Sequence, residues 1–349
     1  MMIKQNILGK AFFFALFACV FVAGMPVHSL AQAPYHLLKS YPLDEDGGWD
    51  YLFFDKGSHR VFISCATHVD VFDVKAEKVV GEIDHTEGVH GIALAPEFNH
   101  GYTSNGKTNT VLMFNMTTLD TLKRIRVGQK PDAIIYEPFT KTIMVCNGES
   151  KSVSLLDAEV GNVLATIPLG GAPEYIVTDG EGHAFVNLED RSELVGINLK
   201  TYLPYRRIKL TPGEGPTGLA IDVKNHRLFA GCRNQKMIII NYDNGKVIGS
   251  LPIGKGVDAV VFDPDKKVAV SSNGEGSLTV VGEVTPDSFA IVQTIPTQAG
   301  ARTETIDPGT HNLYLVTADF GPAPEATKEN PNPRPAIIAN SVRLLKYGY

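Results

Sequence analysis

The sequence predicts an all-β, seven-bladed β-propeller with four antiparallel strands per blade. Three observations predict it. One motif recurs seven times at spacings of 40 to 44 residues. Each repeat reads as four short apolar runs separated by turn residues. A spare strand at the start of the folded region matches the one missing at its end. Self-similarity at this period overrides the two-domain expectation that 349 residues would otherwise carry.

The first 33 residues are expected to lie outside the propeller. Lys4 and Lys10 give a positive start, Ala11 to Ala23 is an almost unbroken apolar stretch, and Ala31-Gln32-Ala33 is an A-x-A cleavage site. These are the three parts of a secretory signal peptide cut after Ala33, so a periplasmic or secreted location is expected. The apolar stretch spans 13 residues, short of the roughly 20 that a membrane-spanning helix needs. Lipidation at Cys19 is disfavoured by its bulky neighbours Leu16 and Phe17. Residues 34–349 are read as one propeller domain.

The segment HLLKSYPL (36–43) has no repeat of its own. It matches AIVQTIPT (290–297), the fourth strand of the sixth repeat, down to the proline. The seventh repeat runs out after three strands, so the N-terminal strand is expected to complete the last blade and close the ring. Closure removes the open edges that invite aggregation, and a monomer is the expected state.

The repeat phase is set by WDYLFFD (49–55), VHGIALA (89–95), PDAIIYE (131–137), PEYIVTD (173–179), PTGLAID (216–222), VDAVVFD (257–263) and ARTETID (301–307). A second run ends at Cys65, Asn105, Asn147, Asn187, Cys232, Asn273 and Thr317. The third ends at Asp73, Asn115, Asp157, Asn198 and Asn241, where the side-chain oxygen suits an Asx-type turn. The fourth carries proline near its end, which only an edge strand tolerates. Residues 318–340 interrupt the last repeat with Pro322, Pro324, Pro331, Pro333 and Pro335, an extended stretch expected to lie as a lid across the channel mouth.

Loss of the leader removes Lys4 and Lys10 and no acid, which takes the formal charge from −6 to −8. An acidic chain is a poor partner for double-stranded nucleic acid or anionic lipid, both of which need clustered lysine and arginine. Cys65, Cys146 and Cys232 remain, an odd count that argues against a disulfide framework and for buried thiols.

In a propeller the starts of the innermost strands and the ends of the second strands meet at one mouth of the central channel. The first set gives an inner ring of Asp50, His90, Asp132, Glu174, Thr217, Asp258 and Arg302, and the second adds Asn105, Asn147, Asn187 and Asn273. Carboxylates, one imidazole and amide oxygens suit a divalent cation such as Ca²⁺, Mg²⁺ or Mn²⁺, with His90, Asp132, Glu174 and Asp258 the candidate ligands. The same residues also suit turns and a solvated channel. Trp49 stands beside the ring, placed either to stack on a ligand or to pack between blades.

YTSNG (102–106), CNGES (146–150), SSNGEG (271–276) and YLVTAD (314–319) resemble the YVTN-type repeat, and with the leader the whole mature chain is similar to YncE-like bacterial propellers. The resemblance implies an envelope propeller and little defined chemistry. It also implies single-stranded DNA as a partner of some members, which the acidic balance here disfavours. With no G-x-S-x-G, H-E-x-x-H or P-loop, the sequence points to a non-catalytic propeller that binds a small molecule or an envelope protein or peptide. The alternative is a metal-dependent, lactonase-like hydrolase that uses a cation at the channel mouth.

Overall fold

The computed structural model describes residues 34–45, 47–327 and 333–349. The expected leader therefore lies outside the described residues. Pro34–Tyr349 forms one compact unit of twenty-eight strands in seven four-stranded antiparallel sheets. Blade one runs from its innermost strand, Trp49–Asp55, through Arg60–Cys65 and His68–Asp73 to the outer Lys78–Ile83. Blades two to six repeat this order. Among the described residues, no helix is long and apolar enough to cross a membrane.

The last blade is built from both chain ends. Glu304–Asp307, Asn312–Thr317 and Arg343–Gly348 are joined at the outer edge by His36–Pro42, which pairs antiparallel from His36↔Gly348 to Pro42↔Arg343. Tyr35, Tyr41 and Leu43 of this N-terminal segment are buried while most of the strand faces solvent. It is thus held by a few large anchors and a ladder of main-chain bonds.

Turn chemistry explains why each hairpin turns where it does. The acid closing an innermost strand accepts backbone N–H bonds from the turn that follows, as Asp55 does from Gly57 at 3.0 Å, Glu137 from Phe139 at 3.1 Å and Asp263 from Asp265 at 3.0 Å. The third strands end in the expected Asx turns, for example Asp73 to Ala76 at 2.8 Å and Asp157 to Val160 at 2.8 Å. Apolar residues between these turns pack face to face across blades. Phe54 of blade one stacks on Tyr314 of blade seven at 5.9 Å. Cys65, Cys146 and Cys232 are buried free thiols.

Six of the seven innermost strands carry a register irregularity at their second residue, seen in blade one as the jump from the pair Trp49↔Cys65 to Leu52↔Ile63. A bulge re-aims the side chain that sits on it. This gathers the ring positions at the channel mouth. The freed main-chain groups are bonded across blades: Thr217 donates to the Val257 carbonyl at 2.7 Å, Ser272 to that of Arg302 at 2.6 Å and Thr303 to that of Asp50 at 2.6 Å.

The described parts of the insertion in blade seven, residues 318–327 and 333–340, run largely without regular secondary structure. A single bridge, Phe320↔Ile337, ties its two arms together, Asp319 pairs with Arg343, and Phe320 packs on Trp49 with ring centroids 6.2 Å apart. None of its described residues lines the mouth cavity, although Phe320 packs on the wall residue Trp49.

Candidate functional site

Around the ring, each cation sits between acids from the neighbouring blades. His90 of blade two places Nδ1 2.6 Å from Asp50 Oδ2 of blade one and 3.8 Å from Asp132 Oδ1 of blade three. Arg302 of blade seven places Nε 2.7 Å from Asp258 Oδ2 of blade six and Nη2 3.5 Å from Asp50 Oδ1, and also donates to the Trp49 carbonyl at 3.1 Å. The result is a chain of alternating charge, Asp132, His90, Asp50, Arg302, Asp258. Packed like charge, the reason to expect a bound cation, is largely offset by these two side chains.

Burial sets the protonation of the ring. It lowers the basicity of His90, but the hydrogen bond to Asp50 and the charges of Asp132 and Asp50 outweigh it, so the imidazole stays protonated above its ordinary range. Burial pushes Asp132 up to about 6, with His90 opposing and Asp50 adding to the rise. Asp258 is raised by burial even though Arg302 pulls it down. Glu174 forms no ion pair among the described residues. Burial, then the charges of Asp132, Glu189 and Asp258, push it up to about 9.

A carboxyl so raised is protonated at neutral pH. The stability it contributes is present below the ordinary carboxylate range and lost as pH rises toward about 9. Glu174→Gln mimics the neutral form and should leave the melting midpoint unchanged near pH 4.5. Above that pH it should raise stability progressively up to pH 8, by at most about 1.4 kcal/mol for each pH unit. Thermal melts at both pH values check this; equal shifts at the two would remove the titration argument.

Above the ring opens a cavity of about 380 Å³ whose wall includes Trp49, Asp50, His90, Lys107, Lys130 and Arg302. Gly106 is required there, because a Cβ at that position would lie 2.7 Å from His90 Nε2. Beneath the ring, Tyr51 meets Tyr175 edge-on at 5.3 Å. Both border a second cavity of about 550 Å³ with mostly apolar walls, including Leu52, Ile134, Ile221 and Phe262. The ring acids thus lie against apolar packing, which accounts for their desolvation.

The sequence-predicted residues separate into three groups. Asp50, His90, Arg302 and Trp49 reach the cavity wall, although Trp49 is buried and packed on Phe320. Asp132, Glu174 and Asp258 complete the ring but do not line that wall. The donor atoms of Asp50, His90 and Asp132 lie within 4.8 Å of one another; of the expected ligand quartet, that group holds only His90 and Asp132, without Glu174 or Asp258.

The asparagines form the third group, fully buried and each with at least one amide atom bonded within the fold, while Asn105 Nδ2, Asn147 Oδ1 and Asn187 Oδ1 have no hydrogen-bond partner among the described residues. Asn147 donates to Ser154 at 2.9 Å, Asn273 to Thr279 at 3.1 Å, and the Asn105 carbonyl accepts from Thr103 at 3.0 Å. Asn187 is one residue out of phase: Leu188 pairs with Pro173 as Cys65 pairs with Trp49. A one-residue offset turns a side chain to the other face of its sheet, and Asn187 donates instead to the Gly218 carbonyl of the next blade at 3.0 Å.

Lys107 and Lys130 were not anticipated from the sequence. Lys107 follows the Asn-Gly pair after a second strand, and Lys130 immediately precedes an innermost strand. Extending the ring alignment by those few positions finds them.

No protein-family model matches the chain, and no curated protein matches it in sequence. Among solved structures it is similar to the hydrazine synthase of Kuenenia stuttgartiensis, at 16% identity and a TM-score of 0.69, over 78% of this chain and 93% of that one. It is also similar to the structure of U3-55K, at 8% identity and a TM-score of 0.72, over 89% of this chain and 98% of that one. Likeness at such identities carries the architecture alone: the chain is a seven-bladed, all-β propeller.

Proposed function

We propose that the protein is a non-catalytic binding propeller of the bacterial cell envelope, YncE-like in type, whose mouth cavity holds the carboxylate of a small molecule or peptide. One observation carries the reading. The cavity wall presents Lys107, Lys130 and Arg302 against a single carboxylate, Asp50, and that carboxylate is already engaged by His90 and Arg302. The uncompensated charge at the opening is therefore positive, on a chain that is acidic as a whole. A carboxylate entering there gains charge-assisted hydrogen bonds. The three-part leader supports export, and the YVTN-like motifs support the family reading.

Binding of short mono- and dicarboxylates and of acidic peptides, followed by calorimetry, tests the proposal. The Lys107→Glu, Lys130→Glu double variant should fold as wild type and lose at least about tenfold in affinity, with binding weakening as salt rises. Undiminished affinity in that variant would overturn it.

The clustering of Asp50, His90 and Asp132 favours a second reading, a cation-dependent hydrolase of the lactonase kind. A cation there has to displace the bond between His90 and Asp50 and compete with Arg302. A screen of lactones and esters with and without chelator separates the two readings.

A further inference from the structure

Blade one departs from the other six at its third strand. His68 pairs across the sheet with Cys65, and Asp70 pairs with Ile63. Residues two apart on a strand point to the same face, so His68 and Asp70 face the same way. At the position of Asp70 the other blades carry Leu, Ser, Val, Ile, Thr and Leu in turn, none of them charged. Asp70 is nevertheless only 5% exposed. Among the described residues its carboxylate has no hydrogen-bond partner, and His68 Nε2 lies 3.9 Å away.

Glu45 joins this group from the connection between the ring-closing strand and blade one. Its Oε1 lies 2.8 Å from His68 Nε2, while Thr67 Oγ1 contacts the other ring nitrogen at 3.2 Å and orients the imidazole. Cys65, also buried, has a weak bond to the Ile63 carbonyl at 3.5 Å and a backbone hydrogen bond from Asp70. The donor atoms of Glu45, Cys65, His68 and Asp70 all lie within 4.8 Å of one another.

We propose that Glu45, Cys65, His68 and Asp70 form a four-ligand site for a divalent transition ion of the Zn²⁺ class. A thiolate, an imidazole and two carboxylates are the donor set that such an ion takes in preference to Ca²⁺ or Mg²⁺. With bonds of about 2.0–2.3 Å, tetrahedral donors sit about 3.3–3.8 Å apart, so the cluster closes by about 1 Å on binding. Four protein donors leave no open position, and the role is structural: the ion pins the connection that leads from the closing strand into blade one. Binding expels the Cys65 thiol proton to solvent.

The electrostatics agree. Burial, then the charge of Glu45, push Asp70 up to about 6, and burial with the charges of Asp70 and Glu45 pushes the Cys65 thiol up. A divalent ion reverses each of these effects. The site shares no residue with the inner ring, although Cys65 holds the repeat position of Asn105 and Asn147 and pairs with Trp49 of the mouth wall.

The test titrates metal-stripped, purified protein with Zn²⁺ and with Co²⁺. The expected result is one equivalent bound, a thiolate-to-cobalt charge-transfer absorption and the intense visible bands of tetrahedral cobalt. Cys65→Ser should abolish the charge-transfer absorption and weaken Zn²⁺ binding at least about 100-fold, whereas Asp50→Asn at the mouth should change neither. Asp70→Leu, which restores the kind of residue found in the other blades, should melt at or above the wild-type midpoint in chelator yet lose the Zn²⁺-dependent rise. Absence of a thiolate band in the wild-type cobalt spectrum, or a full zinc response in Asp70→Leu, overturns the proposal. Binding that is lost in Asp50→Asn but kept in Cys65→Ser also overturns it, by assigning the ion to the mouth.

Discussion

Removal of residues 35–43 is expected to destabilise the whole propeller by about 5 kcal/mol or more and to lower its melting midpoint by roughly 10 °C or more. The segment engages three blades at once. Tyr35 exchanges two hydrogen bonds with Gln293 of blade six, at 2.9 and 2.8 Å, and packs on Tyr349 with ring centroids 4.2 Å apart. The strand itself completes blade seven. Tyr41 reaches blade one, packing on Phe72 at 5.0 Å and donating to Glu77 at 3.1 Å. Burying an aromatic or leucine side chain is worth about 1.5–3 kcal/mol, and Tyr35, Tyr41 and Leu43 are all buried. Deletion also exposes the Arg343–Gly348 strand as an open edge. Melts of the truncated and intact forms decide the matter: an unchanged midpoint would falsify closure as a source of stability. Tyr41→Ala alone should reproduce part of the loss, about 3 kcal/mol.

The architecture was legible because a propeller repeats its signals. Seven copies of one phase fix blade number, strand order and the fate of the N-terminal strand, so that errors in any single strand average out. The ring was legible as a set of residues, and less so as a circuit. Its order around the channel places Arg302 between Asp258 and Asp50, and His90 between Asp50 and Asp132. This alternation follows from the sequence once blade seven is set beside blade one. The role of the asparagines was not legible, because one residue type serves a turn, a metal and a buried interstrand bond equally well. Asn187 was misplaced by a single residue, which strand periodicity turns into the opposite face. Asp70 escaped notice because it lies off the ring positions, and Glu45 because it precedes the first repeat altogether.

Replacing Glu304 should stabilise the protein. The fourth position of the repeat motif is Leu52, Ile92, Ile134, Ile176, Leu219 and Val260 in blades one to six, and Glu304 in blade seven. It is buried at 5% exposure, and its carboxylate oxygens make no hydrogen bond of good geometry. Burial holds the group well above the usual carboxylate range, and the nearby Ser272, which favours the charged form, does not offset it. An unpartnered buried polar group costs about 1–3 kcal/mol even when neutral, and more when charged. Glu304→Leu should therefore add about 2 kcal/mol at pH 5, with a larger gain at pH 9. The pH trend follows from linkage: a carboxyl raised on folding is least harmful below its unfolded value, and its cost grows as pH climbs toward its folded value. Glu304→Gln removes the titration but keeps an unpartnered polar group, so it should match wild type near pH 4.5 and surpass it by a margin that grows steadily as pH rises above that. Denaturant midpoints of the three proteins from pH 4.5 to 9 resolve the two contributions. A wild type more stable than Glu304→Leu at pH 8 would show instead that the carboxyl and Ser272 form a stabilising pair.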